Sequence, residues 1–284
     1  MNQAPLYGGQ AVIEGVMLRG SRAMAIAVRR TDGSLFVHRQ RLTPAGERWI
    51  GWRLPFLRGV VALVDSLGLG VRALLISAEA AGEERLSPWQ GATIIGLASI
   101  MAVGLFMLLP TVAVGGISAW LTWPAARNLA EGVLRLTILV GYVAAIARIP
   151  DIGRIFAYHG AEHRVIHLVE RGGERTVAAS RGLPILHPRC GTSFLLFVAA
   201  VSVLVFAFFG WPSLWQRLLL RLALLPVVAG IAYEAIRLSG RSRHPLVRAM
   251  ALPGLWLQRL TAREPGDDQV EVALAALKAV TTED

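Results

Sequence analysis

Residues 86–126 carry no charged side chain, and a run of that length is far beyond the ~20 apolar residues needed to cross a bilayer once. Composition extends the constraint to the rest of the chain. Of 284 residues, 54% are hydrophobic and only 17% charged, against about 25% charged in soluble domains. The sequence therefore predicts a mainly α-helical, multi-pass membrane protein. One span over 92–110, a break at Gly115-Gly116 and an interfacial segment ending in Trp120 and Trp123 fit the uncharged run; two short spans are the alternative. Further spans are expected over 129–149, 192–211 and 214–236, about four transmembrane helices in all. Arg135 and Arg221 fall in the second and fourth of these near one end, where long side chains snorkel to the interface.

Basic residues orient these spans. Net charge is +10, almost wholly from arginine, since Lys278 is the only lysine. Residues 1–90 hold eleven arginines, the loop 150–191 six, and the tail from Arg237 onward seven basic residues. The connections on the other side hold only Arg127 and Arg217. By the positive-inside rule both termini and the central loop are cytoplasmic. Splitting 86–126 into two spans would part the N-terminal region from the central loop, and the count argues against it. Anionic lipid accounts for the basic balance, so the bilayer is the expected partner and nucleic acid is not. A single cysteine, Cys190, excludes an intrachain disulfide. Residues 1–20 lack the apolar core of a signal peptide.

Soluble elements flank the spans. Residues 1–53 are expected to form a cytosolic β-unit, because two apolar-rich runs within 23–42 surround Thr31-Asp32-Gly33-Ser34, a hairpin signal. Gly8-Gly9 imply tight turns or a close backbone approach. Segment 54–85 holds an amphipathic helix from Pro55 to Ala81, with Leu57, Val60, Val64, Leu67, Val71, Leu74 and Ala78 at helical spacing. Its polar face carries Arg58, Asp65, Arg72 and Glu79, so it is expected on the membrane surface or against the β-unit. Transmembrane helices 1 and 2 occupy 86–150, a cytosolic histidine helix and loop 151–191, and transmembrane helices 3 and 4 192–238. The tail 239–284 is cytosolic and ends in a docked helix, capped by Asp267 or Asp268, whose stripe is Val270, Ala273, Leu274, Leu277 and Val280.

Chemistry concentrates in "YHGAEHRVIH", residues 158–167, which holds three of the six histidines. On a helix His159 and His163 lie four residues apart on one face and can reach one metal ion. The order His159-x-x-Glu162-His163 is that of the inverted zinc-hydrolase motif, in which the histidines hold zinc and the glutamate is the general base. Zinc can lower the pKa of a water to about 7. A third protein ligand is required. Candidates at the same predicted depth are His187 and Cys190 in "HPRCG" and Glu234 in the fourth span, 71 residues after His163. His167, one turn further along, either supports the ligands or faces solvent. Glu14 and Arg19 either complete the site, bind a lipid headgroup or pair with each other. In the plainer readings Glu234 pairs with Arg237, Cys190 is an inert small hydrophobe despite its neighbour Arg189, and the histidines are solvated.

Five motifs taken together, "YGGQAVIEGVMLRG", "FAYHGAEHRVIH", "HPRCGTSFL", "AYE" and "PGLWLQRLTAREPGDDQVEVALAALKAV", resemble the YqhQ-like family of bacterial membrane proteins, a domain of unknown function. The resemblance covers nearly the whole chain. Positions that match its motifs are Gln10, Glu14, Arg19, His159, Glu162, His163, His187, Arg189, Cys190 and Glu234; His167, Ala262 and Gly266 depart from them. The resemblance implies a metal-dependent enzyme of the bacterial cytoplasmic membrane without a demonstrated reaction. A divalent metal, zinc, and a lipid-linked or peptide substrate hydrolysed at the cytoplasmic interface are therefore the expectation. The alternative is a non-catalytic scaffold, transport or membrane-assembly factor with a structural metal site or none.

Overall fold

The structure, a computed structural model, describes residues 7–43, 54, 57–117, 120–239 and 244–281. Four strands, β1 (Gly8–Val12), β2 (Gly15–Arg19), β3 (Ala23–Arg29) and β4 (Leu35–Arg41), form an antiparallel meander in the order 1-2-3-4. The β3–β4 hairpin turns at the expected Asp-Gly: Asp32 accepts the Ser34 N–H at 2.9 Å and Gly33 takes a φ of 83°. The first glycine-rich motif, expected to form tight turns or a close backbone approach, adds a second hairpin. It closes at Ile13-Glu14, with Val12 opposite Gly15, and a Cβ on Gly15 would run into the Ala27 carbonyl.

Side chains alternate across this sheet with the period of two that a strand imposes. Val16, Leu18, Ala23, Ala25 and Ala27 face one way, and Met17, Met24, Ile26 and Val28 the other. Small residues dominate the first face, which lets two helices lie close on it: α5 (Pro150–Glu170), through Tyr158, Ala161 and Val165, and the terminal helix α11 (Asp267–Thr281), through Val270, Ala273, Leu277 and Val280. The larger side chains meet Ala73 and partly buried Leu69, Ile76 and Ala80 of α1 (Leu57–Ala80). The expected start of α1 at Pro55 lies outside the described residues. Both faces of the sheet are therefore covered, and the stripe of the terminal helix is docked as expected.

The apolar helices form the other part of the molecule. α2 (Pro88–Val103) begins with a capping box between Ser87 and Gln90 and passes through a π-helical turn, Gly104–Leu108, into α3 (Leu109–Gly116). Pro110 explains that turn. Proline has no N–H for the Phe106 carbonyl four residues back, and Arg135 Nε donates to that carbonyl instead, at 2.8 Å. α4 (Pro124–Ile146) leads into α5, α6 (Val177–Ser180) is a single turn, and α7 (Gly191–Ala207) packs between α4 and α8 (Leu214–Ser239). Short α9 (Pro245–Ala249) and α10 (Leu252–Thr261) follow.

Among the described residues four helices are long and apolar enough to cross a membrane: Leu57–Ala80, Pro88–Gly116, Pro124–Ile146 and Leu214–Leu238. This set differs from the expected one twice. The third expected span is a 17-residue helix, α7, because the chain turns at Gly210, φ 64°, ahead of Pro212. In its place stands α1, whose polar positions are too few to lower its mean hydropathy below the others. Pro88–Gly116 is apolar all round, yet none of its most apolar window is buried in the protein; Ile94, Leu97, Ile100 and Val103 are exposed. Length and composition give this helix the character of a membrane span.

Arg135 and Arg221 overturn the snorkelling expectation. Glu131 of α4 is 2% exposed; Arg135 reaches it at 2.8 Å and Arg221 of α8 at 2.5 Å. Thr111 of α3 lies 2.9 Å from the same carboxylate, and Arg135 also donates to Ser202 of α7 at 3.1 Å. Four apolar segments are thus joined by one buried ionic network. Its carboxylate pulls the guanidinium groups inward instead of leaving them to the surface.

α5 is held in place by the segment after α10. Arg263 N–H donates to the Phe156 carbonyl at 2.9 Å, and the Arg263 carbonyl lies so close to Gly160 that an added Cβ would overlap it. Gly160→Ala is accordingly expected to lose about 1–3 kcal/mol by overpacking, read as a lowered unfolding midpoint in detergent.

Candidate metal centre

α5 opens with Pro150 in its first turn and ends where Gly172 adopts a φ of 66°. His159, His163 and His167 follow one another at four-residue intervals on one face. His159 Nδ1 lies 2.7 Å from the Thr261 carbonyl at the end of α10, and His163 Nδ1 lies 2.6 Å from the Ile185 carbonyl. A carbonyl only accepts, so both Nδ1 atoms carry the proton and both Nε2 lone pairs are free. His159 Nε2 is 3.2 Å from Cys190 Sγ, and the two rings are 4.3 Å apart. Cys190 is the N-cap of α7, its sulfur accepting the Thr192 N–H at 3.4 Å.

Ligand atoms of His159, His163 and Cys190 lie within 4.8 Å of one another. Zinc–nitrogen bonds of about 2.0–2.1 Å and a zinc–sulfur bond of about 2.3 Å place tetrahedral ligands roughly 3.3–3.8 Å apart. The set therefore fits a small tetrahedral cation with only short adjustments. Backbone carbonyls on the distal nitrogens supply the orientation that ligating histidines ordinarily have.

Glu162 stands beside this set without being part of it. It is 3% exposed, and its Oε2 lies 3.5 Å from His163 Nε2. A Cβ on Gly9 would come within 2.5 Å of its Oε1, so the close backbone approach expected of the glycine pair is made by Gly9 of β1. Burial raises the Glu162 pKa above the usual carboxylate value, against the opposing pull of His159 and His187. Burial also holds the His163 and His187 pKa values below that of an ordinary histidine. Neutral imidazole, the ligating form, is thereby favoured at His163.

The structure assigns His187 to a second group, with His167 and Glu170. His187 Nδ1 accepts the Arg189 N–H at 3.2 Å, so its Nε2 carries the proton and donates to Glu170 at 3.2 Å. Arg189 pairs with the same carboxylate, and His167 Nε2 donates to the Leu186 carbonyl at 2.9 Å. These hydrogen bonds engage both His187 ring nitrogens and the Glu170 carboxylate, with His167 Nδ1 3.8 Å from Glu170, and they make the second group a brace for the 185–190 loop. Gln258 completes the brace: fully buried, it accepts from the His187 N–H at 2.8 Å and donates to the His187 carbonyl at 2.9 Å.

The other expected residues lie apart from the triad. Glu234 makes a two-point ion pair with Arg58, both contacts 2.6 Å, and lies 3.9 Å from Arg237. Its carboxylate is engaged in tying α8 to α1. Arg19 pairs with Asp65 of α1 at 2.5 Å, and Gln10 reaches the Gly70 carbonyl at 3.4 Å. Glu14, at a φ of 49°, takes Arg154 at 2.7 and 2.5 Å and the Tyr158 hydroxyl at 3.3 Å. The Arg154 guanidinium, hydrogen-bonded to Glu14, lowers the carboxyl's pKa. A carboxylate with a lowered folded pKa contributes stability above its unfolded value, near pH 4.5, and loses it as pH falls through the folded value. Acid titration of Glu14→Gln should accordingly show a smaller loss of stability below about pH 4.5 than the parent.

Glu170 in the brace and Glu131 in the ionic network are absent from the residues expected from the sequence. Glu170 carried a signal in its position three residues after His167, and Glu131 in its i,i+4 spacing to Arg135. The Thr261 and Ile185 carbonyls are main-chain groups with no sequence signature. The family model for a protein of unknown function, DUF1385, matches residues 54–283. The chain belongs to the DUF1385 family. A relative in Bacillus subtilis (strain 168), "Uncharacterized protein YqhQ", is 37% identical over 292 aligned residues, covering 95% of this chain and 90% of that protein. No solved structure matches. The DUF1385 match contains the three ligand candidates, Glu162 and the 185–190 brace, whereas Gly9 and Glu14 precede it.

Proposed function

We propose that this DUF1385 protein is an integral membrane hydrolase dependent on a divalent metal, with its centre on the cytoplasmic face of a bacterial inner membrane. The observation that supports the reading is the convergence of ligand atoms of His159, His163 and Cys190 within 4.8 Å of one another beside a buried carboxylate. α2–α3, α4, α7 and α8 are the spans in this reading; α7 is about 25 Å long by itself, and Phe208, Phe209 and Trp211 extend its apolar reach. α1, half covered by the sheet, lies along the surface. The arginine distribution supports a cytoplasmic position for the sheet, α5 and the tail.

Zinc, when bound, supplies a Lewis acid and acidifies a water. The chain supplies the rest. Thr261 and Ile185 hold the two imidazoles in the ligating tautomer, and Cys190 brings the third donor from the start of α7. Glu162, its pKa raised by burial, takes a proton from the attacking water at its carboxylate and returns it to the leaving group. A scissile bond at the membrane surface, in a lipid-linked or peptide substrate, suits a centre at the cytoplasmic ends of the spans.

Protein purified without chelator should contain about one equivalent of zinc per chain. Glu162→Gln, close in shape but unable to take the proton, is expected to keep that metal and to lose complementation of a deletion strain, with a drop of at least about a hundredfold in the underlying rate. Full complementation by a metal-loaded Glu162→Gln protein would rule out base catalysis and leave the structural alternative.

A further inference from the structure

Helices α2, α4, α7 and α8 enclose a cavity of about 340 Å³, near the lower end of the roughly 300–1,000 Å³ typical of small-ligand pockets. Its walls are apolar side chains such as Val103, Met107, Leu139, Val198 and Leu225, and the only charged residues lining it are Arg135 and Arg221. Val103, Leu195 and Leu225 on its rim are about half exposed, so the cavity opens sideways, toward the surface that lipid would cover.

Charge around this cavity does not balance. Two guanidinium groups share the single carboxylate of Glu131. A third, Arg217, is 8% exposed, with Nε and Nη1 lacking a hydrogen-bond partner; it stacks on Trp211 at 3.9 Å. Arg217 lines an adjoining recess that shares Phe206 and Arg221 with the larger cavity. Surplus positive charge in an apolar medium is costly unless an anion accompanies it. Arg135 uses one N–H on each of its three nitrogens, and of five guanidinium donors two remain. Arg135 also lies roughly 16 Å along α4 from its start, with exposed Trp120 and Trp123 just beyond that end as an interfacial belt would be.

We infer that this cavity binds an amphiphile with one hydrocarbon chain and an anionic headgroup, the headgroup on Arg135 and Arg221 and the chain along α7. The inference rests on the bilayer reading above and not on the metal. Its test uses the whole protein in dodecyl maltoside, delipidated and titrated with dodecyl phosphate, with adducts counted by native mass spectrometry. One dodecyl phosphate should be retained over the neutral detergent of equal chain length. Ala102→Trp, which fills the cavity without touching the ionic network, should weaken retention at least about tenfold while leaving the metal content unchanged; Arg135→Gln should do the same through the headgroup. Retention by Ala102→Trp equal to the parent's, equal retention of neutral and anionic chains, or inorganic phosphate binding as tightly as dodecyl phosphate would overturn it. A protein that stays dispersed without detergent would instead remove the bilayer reading itself.

Discussion

His159→Ala should leave the purified protein with at least tenfold less bound metal than the parent, measured per chain after chelator-free purification. The size of the effect follows from what the side chain does. Removing a group that merely orients a ligand costs about 10–100-fold in affinity, and His159 contributes a donor atom directly, its Nε2 being 3.2 Å from Cys190 Sγ. Cys190→Ser should show a loss of the same order, because a neutral hydroxyl replaces the one donor able to carry negative charge. His187→Ala separates this arrangement from its neighbour. Its ring nitrogens are engaged by Glu170 and the Arg189 N–H, so metal should be retained, more weakly, as the 185–190 loop loosens around the Ile185 carbonyl. Equal metal in His159→Ala and parent would end the metal reading, and metal loss greater in His187→Ala than in Cys190→Ser would reassign the third ligand.

Glu131→Gln is expected to produce the largest loss of stability, about 3–5 kcal/mol, the usual consequence of removing one partner from a buried ionic group. Arg135, Arg221 and Arg217 would then face one another in an apolar medium with no carboxylate. Thermal unfolding in detergent reads the effect, and a double variant sharpens it. Adding Arg221→Met to Glu131→Gln removes one of the uncompensated charges and should recover part of the loss. If Glu131→Gln alone unfolds at the parental temperature, the network carries no net stability and is held together only by its surroundings.

Local patterns were the legible part of this fold. The two apolar-rich runs around Thr31–Ser34, Asp-Gly at the turn and the stripe of the terminal helix are set by neighbours within a few residues, and the structure realises each. His159 and His163 belong to the same class, since an i,i+4 pair shares a helix face whatever the rest of the chain does. Cys190 was one of three third-ligand candidates because only tertiary packing could choose between them. Glu234 matched by spacing along the chain, yet the Arg58 guanidinium has a stronger claim on its carboxylate than a distant imidazole pair. Arg135 and Arg221 do not snorkel because Glu131, one turn before Arg135 on α4 and within reach of Arg221 from α8, holds both guanidinium groups inside the protein. The length of α7 depended on Gly210 taking a positive φ, which composition does not reveal.

The Thr261 carbonyl on His159 has a consequence for biosynthesis. Residues that shape the centre come from three stretches, 159–163, 185–190 and 258–261, and the last emerges after every apolar helix has been made. Until the tail folds back, His159 has no partner fixing its tautomer, and Gln258 is not there to clamp His187. The triad is therefore oriented in full only by the final segment of the chain, so that, under the metal reading proposed above, metal capture would report a molecule whose apolar helices have already packed.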